Sequence, residues 1–161
     1  MTPAIRLLKN QKIKFNIHQY QHDADQTHYG QEAANKLGLE LNIATSQIFK
    51  TLIVSINGDN KTLAVCVIPV NCSLDLKQVA KILDCKKIEL ADPHLAQKTT
   101  GYIVGGISPL GQKKLLPTLI DISAKQYQTM LVSGGKRGLE IEISPADLAN
   151  LLNAKFSKLS N

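Results

Sequence analysis

Apolar residues recur along this chain in two rhythms, and the switches between them mark out short helices and short strands. Thr2-Pro3 reads as a helix start, with proline at the first helical position, and Ala4, Leu7 and Leu8 then form one stripe. Phe15 and Ile17 alternate with Asn16 and His18, which predicts a strand ending near Tyr20. Residues 21–29 are polar and predict a loop; a helix carrying Ala33, Ala34 and Leu37 follows and is expected to stop at Gly38. The run Ile48–Ile56, the turn Asn57-Gly58-Asp59-Asn60 and the returning run Leu63–Ile68 predict a hairpin. Asp75 opens a helix whose Leu76, Val79, Ala80 and Leu83 share a face, and Asp92-Pro93 opens a shorter one. Beyond it, Tyr102–Val104 reads as a short apolar strand running into a glycine turn. Leu119–Ile122, Thr129–Val132 and Leu139–Ile143 read as further strands, the last two joined through Ser133-Gly134-Gly135-Lys136-Arg137-Gly138. Ser144-Pro145-Ala146-Asp147 gives an N-cap, a proline and an acid in the first turn of a last helix through Leu151-Leu152. This order is neither a strict strand–helix alternation nor all strands. It predicts one α+β domain over residues 1–161, with a mixed, mostly antiparallel, barrel-like sheet flanked by helices.

Composition narrows the classes. With 161 residues and 43% hydrophobic residues the chain can bury one ordinary core. No run of 18 uncharged apolar residues occurs, and the first residues lack the apolar centre of a signal peptide, so a cytoplasmic protein without a membrane partner is expected. The three cysteines form no CxxC pair and point to neither a disulfide framework nor a zinc site. The net charge of +6 favours polyanionic partners, although the basic residues are dispersed, with small clusters such as Lys86-Lys87, Lys113-Lys114 and Lys136-Arg137.

The chemistry-bearing candidates are few. Gly105, Gly106, Pro109 and Gly111 make a rigid turn, read either as a corner that needs glycine for geometry or as bare amides presented to an oxygen. At period two, Lys50 shares a face with Ile48, Leu52, Val54 and Ile56. A lysine on such a face either snorkels to solvent or serves as a cation at a pocket mouth. His18, His22 and His28 lie on a strand and a loop rather than at helical i,i+4 spacing, which argues against a metal site. Cys66 sits mid-strand and reads as a buried thiol. No G-x-S-x-G elbow and no Walker A spacing is present.

Lys50-Thr51 on a strand, then Thr100-Gly101-Tyr102 leading into Gly105-Gly106-Ile107-Ser108-Pro109-Leu110-Gly111, then Ser133-Gly134-Gly135-Lys136-Arg137-Gly138-Leu139, resemble the YbaK/EbsC-type aminoacyl-tRNA deacylases over essentially the whole chain. These are free-standing relatives of the editing domain of bacterial prolyl-tRNA synthetase, and the similarity is greatest to the branch that removes cysteine from proline tRNA. The resemblance implies Lys50, Tyr20 and Gly105 as catalytic residues and Thr51, Tyr29, Gly106, Ile107, Ser133 and Gly134 as substrate-binding residues. It gives Glu140 no role. It further implies no metal, no cofactor and no protein nucleophile, with the thiol of the substrate attacking its own ester. The partners it implies are aminoacylated tRNA, Cys-tRNA(Pro) and in some cases Cys-tRNA(Cys), and a transient complex with prolyl-tRNA synthetase. Two alternatives stand beside it: hydrolysis of Ala-tRNA(Pro), as in a related branch, and a non-catalytic module that binds tRNA or the synthetase.

Overall fold

A computed structural model describes residues 1–161. In chain order the elements are α1 (Pro3–Asn10), β1 (Asn16–Gln19), α2 (Tyr29–Leu41), β2 (Phe49–Ile56), β3 (Asp59–Pro69), α3 (Leu76–Ile82), β4 (Ile88–Leu90), α4 (Pro93–Thr100), β5 (Thr118–Asp121), β6 (Met130–Ser133), β7 (Leu139–Ile143), α5 (Pro145–Leu152) and β8 (Lys155–Ser157). Short 3-10 turns at Thr45–Gln47 and Ile122–Gln126 complete it. The caps follow the residue chemistry. Thr2, Asp75, Asp92 and Ser144 each accept a backbone N–H in the first turn of the helix they open, which satisfies a donor that the helix itself leaves unpaired.

The β2–β3 hairpin is the centre of the molecule. Its turn places Asn57 at φ 55° and Gly58 at φ 71°, the left-handed pair that an Asn-Gly hairpin turn demands. Two sheets result, one ordered β4-β2-β3-β5-β8 and the other β1-β7-β6. The β3–β5 and β5–β8 pairs are parallel and the remaining pairs antiparallel. The sheets touch at a bridge between Ile48 and Leu131 and do not close into a barrel. The class is therefore the mixed α+β one that the pattern predicts.

The main core gathers Phe49, Ile53, Val65, Val67 and Ile120 from the larger sheet with Met130, Val132, Ile141 and Ile143 from the smaller, under α1 and α5. On the other face of the larger sheet, Val54, Ala64, Cys66 and Ile68 pack against Val79 and Ala80 of α3. A third cluster sets Ala33, Ala34 and Leu37 of α2 on Ile48 and Leu131, where the sheets meet.

Two expectations are corrected. The Tyr102–Val104 segment is not a strand. It begins a loop stapled by side chains: the Tyr102 hydroxyl donates to the Leu110 carbonyl at 2.6 Å, and the Val104 N–H donates to the Gln97 side chain of α4 at 2.9 Å. Glycines at positive φ before, within and after it (Gly101, Gly105 and Gly111) turn the backbone too often for any ladder to form. Likewise α2 does not stop at Gly38. It continues to Leu41 and ends on Asn42 at φ 54°, because Leu41 and Ile43 still have apolar surface to cover.

Candidate active site

One edge of β2 is fully paired with β3 from Phe49 to Ile56. The other edge is shared. β6 meets its start through the Ile48–Leu131 bridge, and β4 pairs with its end over Val54–Ile56. Between those contacts the edge carries no strand, and a cavity of about 360 Å³ occupies the gap. All five residues Phe49, Lys50, Thr51, Leu52 and Ile53 therefore line it, which a strand buried in a continuous sheet could not allow. Its other walls are Tyr20, the start of α2 at Tyr29, Gly30 and Ala33, the Leu90–Pro93 corner, Val104, Gly105 and Ile107 of the glycine loop, and Ser133 and Glu140 of the smaller sheet.

Lys50, Tyr20 and Gly105 thus share one cavity with Thr51, Tyr29, Ile107 and Ser133. Gly106 and Gly134 do not line it. The Gly106 α-carbon is pressed against the Lys136 backbone, where a Cβ would come within 2.7 Å of the Lys136 α-carbon. A Cβ on Gly134 would meet the Leu139 side chain at 2.7 Å. Gly106 lets the two loops around the cavity approach each other, and Gly134 lets the 133–139 turn close on itself.

Three polar groups in the cavity have no protein partner. The Lys50 ammonium forms no ion pair. The Thr51 hydroxyl is fully buried and makes no hydrogen bond. Glu140 is 6% exposed, forms no ion pair, and is pushed up to about 8 by burial, so its carboxyl carries a proton at neutral pH. Buried polar groups are nearly always satisfied, so three unsatisfied ones around a single space mark a place where a polar ligand supplies the missing contacts. Tyr20 is pushed up to about 12, chiefly by burial and further by Glu140 once that carboxyl ionises at higher pH, and stays a neutral phenol. Cys66 is buried in the second core and is also pushed up to about 12 by burial, which makes it an unreactive thiol.

Glu140 escaped the sequence reading for a definable reason. In β7 the residues Leu139, Ile141 and Ile143 face the core and Glu140 and Glu142 the opposite side, the pattern of a solvated face. Only the pairing of β7 between β1 and β6, which sets Glu140 beside His18 and Ser133, turns that position into a cavity wall.

The wall at Tyr29 is braced from several directions. Its ring lies 5.8 Å from the His22 ring, and the Arg137 guanidinium sits over it at 4.5 Å from the centroid. The loop before it is held by Glu32, which accepts from the Asp23 N–H at 2.8 Å and contacts His22 Nδ1 at 2.6 Å and Lys36 at 3.3 Å. Burial works to raise the Glu32 pKa, but these hydrogen bonds outweigh it and hold the carboxylate below its ordinary range.

A small cavity at the interrupted edge of a central strand, closed by a glycine loop and carrying a free cation, hydroxyl and carboxyl, defines a pocket for a compact polar substrate. The chain belongs to the aminoacyl-tRNA editing domain family, whose model matches residues 26–151. It is 38% identical over 160 residues to the Enterococcus faecalis protein named "Putative Cys-tRNA(Pro)/Cys-tRNA(Cys) deacylase EbsC", covering 99% of this chain and 93% of that one. It is 27% identical over 129 residues to the uncharacterised protein YwhH of Bacillus subtilis, covering 80% of this chain and 76% of that one. Two solved structures share the fold. One, of a hypothetical protein, has a TM-score of 0.85 at 24% identity and covers 99% of this chain and 100% of its own. The other, of "a putative trans-editing enzyme for prolyl tRNA synthetase", has a TM-score of 0.79 at 22% identity and covers 100% and 98%. No helix is long and apolar enough to cross a membrane.

Proposed function

We propose that this protein is a trans-editing deacylase that removes cysteine from mischarged Cys-tRNA(Pro), and in some measure from Cys-tRNA(Cys). The observation that carries the reading is the set of three unpartnered polar groups, Lys50, Thr51 and Glu140, in one cavity of about 360 Å³. Membership of the editing family and the likeness to EbsC support it. In the proposed reaction the cysteine sulfur attacks its own ester carbonyl. A carbon–sulfur bond forms, the carbon–oxygen bond to the ribose breaks, and the thiol proton ends on the ribose oxygen. The cyclic thiolactone is later opened by water. Because the nucleophile arrives with the substrate, the protein supplies placement and charge stabilisation rather than an attacking side chain. Lys50 anchors an oxygen of the substrate, the Gly105 backbone presents an amide, and Tyr20, Tyr29, Thr51, Ile107 and Ser133 shape the space. The same proposal includes delivery of the substrate by a transient complex with prolyl-tRNA synthetase.

The test is turnover of Cys-tRNA(Pro), Cys-tRNA(Cys) and Ala-tRNA(Pro), with chemical identification of the amino-acid species released. Cleavage of the cysteinyl esters with transient thiolactone supports the reading. Preferential release of alanine, or retention of charged tRNA without turnover, would replace it with the corresponding alternative.

A further inference from the structure

The basic pair Lys136-Arg137 takes no part in the cavity itself, yet Arg137 occupies a constrained position just outside it. Its guanidinium carbon lies over the Tyr29 ring, 4.5 Å from the centre, and its Nε donates to the Val104 carbonyl at 3.0 Å. Tyr29 and Val104 are both cavity walls, so Arg137 is fixed to the outer side of the rim. The cation–π contact and the single hydrogen bond hold the group in place, while both terminal nitrogens have no protein acceptor and no carboxylate pairs with them. A guanidinium held by one face and by Nε, with its outer edge free, is pre-organised for two parallel hydrogen bonds to an anion such as phosphate. Lysine in the same place would keep the charge and lose that fork.

We propose that Arg137 is a phosphate-binding residue for the nucleic-acid part of the substrate, gripping a backbone phosphate near the 3′ end of the RNA while the aminoacyl group enters the cavity. This rests on the reading of the cavity as an aminoacyl-ester site. An ester whose acyl end is inside must leave its ribose at the rim, and the next group along the strand is a phosphodiester. A rim cation therefore meets a phosphate, whereas the cation inside the cavity, Lys50, meets the reacting end. The net charge of +6 draws the polyanion toward the surface, and Arg137 gives one of its phosphates a fixed partner.

The experiment compares wild type, Arg137→Lys and Arg137→Ala on two substrates: Cys-tRNA(Pro) and 2′(3′)-O-cysteinyl-adenosine, which carries no phosphate. Melting curves confirm that each variant is folded. The expected result is that kcat/KM falls roughly tenfold more on the tRNA than on the nucleoside ester, chiefly through KM, for both variants. The slope of log kcat/KM against log salt should also become shallower by about 0.7–0.9 for Arg137→Ala. Equal losses on the two substrates would make Arg137 a strut for Tyr29 and Val104 and overturn the proposal, as would no loss on either. A parallel arm measures binding of an uncharged RNA hairpin ending in a single-stranded 3′ overhang by fluorescence anisotropy. Weakened, less salt-sensitive binding by Arg137→Ala supports the phosphate contact even if the deacylase reading fails, and unchanged binding overturns it.

Discussion

The Tyr29 ring lies directly against the α-carbon of Gly105: a Cβ placed on Gly105 would come within 2.6 Å of Tyr29 Cγ. Gly105 also has φ 89°, a conformation unfavourable to any residue with a side chain. The aromatic wall of the cavity and the glycine loop beside it therefore fix each other's position, and their close contact is possible only with glycine there.

Gly105→Ala should consequently fail in two ways. Backbone strain costs about 1–2 kcal/mol, and the ring must move out of its seat beneath Arg137. We expect a fall in Tm of roughly 2–8 °C together with a loss of more than about tenfold in kcat/KM for Cys-tRNA(Pro). Gly58→Ala is the control, since Gly58 has φ 71° but nothing within 4 Å of the added Cβ. It should lose comparable stability and keep its activity. Parallel thermal melts and single-turnover assays on both variants check this; equal activity losses would dissociate the Tyr29–Gly105 contact from function.

Lys50→Ala separates in the opposite sense. The ammonium is half-buried on β2 and pairs with no carboxylate, so its removal breaks no ion pair and leaves no partner charge stranded. Stability should change by less than about 1 kcal/mol, whereas deacylation should fall by about 100-fold or more if the cation faces charge developing on the ester. Lys50→Arg, longer and forked, should not restore the rate. An unchanged rate for Lys50→Ala would remove this residue from the mechanism.

Local chemistry was enough to read much of this fold. Thr2-Pro3, Asp75, Asp92-Pro93 and Ser144-Pro145 mark four helix starts because a cap is a contact between residues only two or three apart. Asn57-Gly58 marks the hairpin for the same reason. The strands β4 and β8, three residues each, left no trace, since their order comes entirely from partners that lie far along the chain. The interruption of the β2 edge was equally invisible: it depends on where β4 and β6 each leave that strand. Lys50 stands out as a cation among Ile48, Leu52 and Val54, whereas Glu140 alternates with Glu142 in the pattern that a solvated face would also give. Its burial is a property of the smaller sheet, not of β7.

One carboxylate gathers several of the contacts that hold the C-terminal segment. Asp121, at the end of β5, accepts from the Leu159 N–H at 2.8 Å, the Ser160 N–H at 3.1 Å and the Ser160 hydroxyl at 3.2 Å, and from the Ser123 N–H at 3.2 Å. Burial works to raise its pKa, but these donors prevail and hold it below the usual 3.8. Asp121→Ala strands buried donors and should cost about 2–4 kcal/mol. Because the folded pKa is depressed, the carboxylate's contribution is present above about pH 4 and is lost as the pH falls through the folded value. Urea melts of wild type and Asp121→Asn should therefore differ at pH 7 and converge toward pH 3.

Glu140 titrates with the reverse sign. Its carboxyl ionises near 4.5 when solvated and near 8 in the folded protein, because burial penalises the charged form. Between those values the folded state keeps a proton that the unfolded chain has released. Stability therefore falls as the pH rises across that window, by about 1.4 kcal/mol per pH unit at the steepest. Glu140→Gln preserves the shape and removes the titration. The variant should match wild type near pH 4, exceed it increasingly up to pH 8, and hold a constant margin beyond. Subtracting wild-type from variant stabilities in denaturant melts at pH 4.5, 6.5 and 8 cancels the histidines, which are common to both. A margin that does not vary with pH would mean that the acid is ionised throughout, and that Lys50 or solvent already compensates its charge in the cavity.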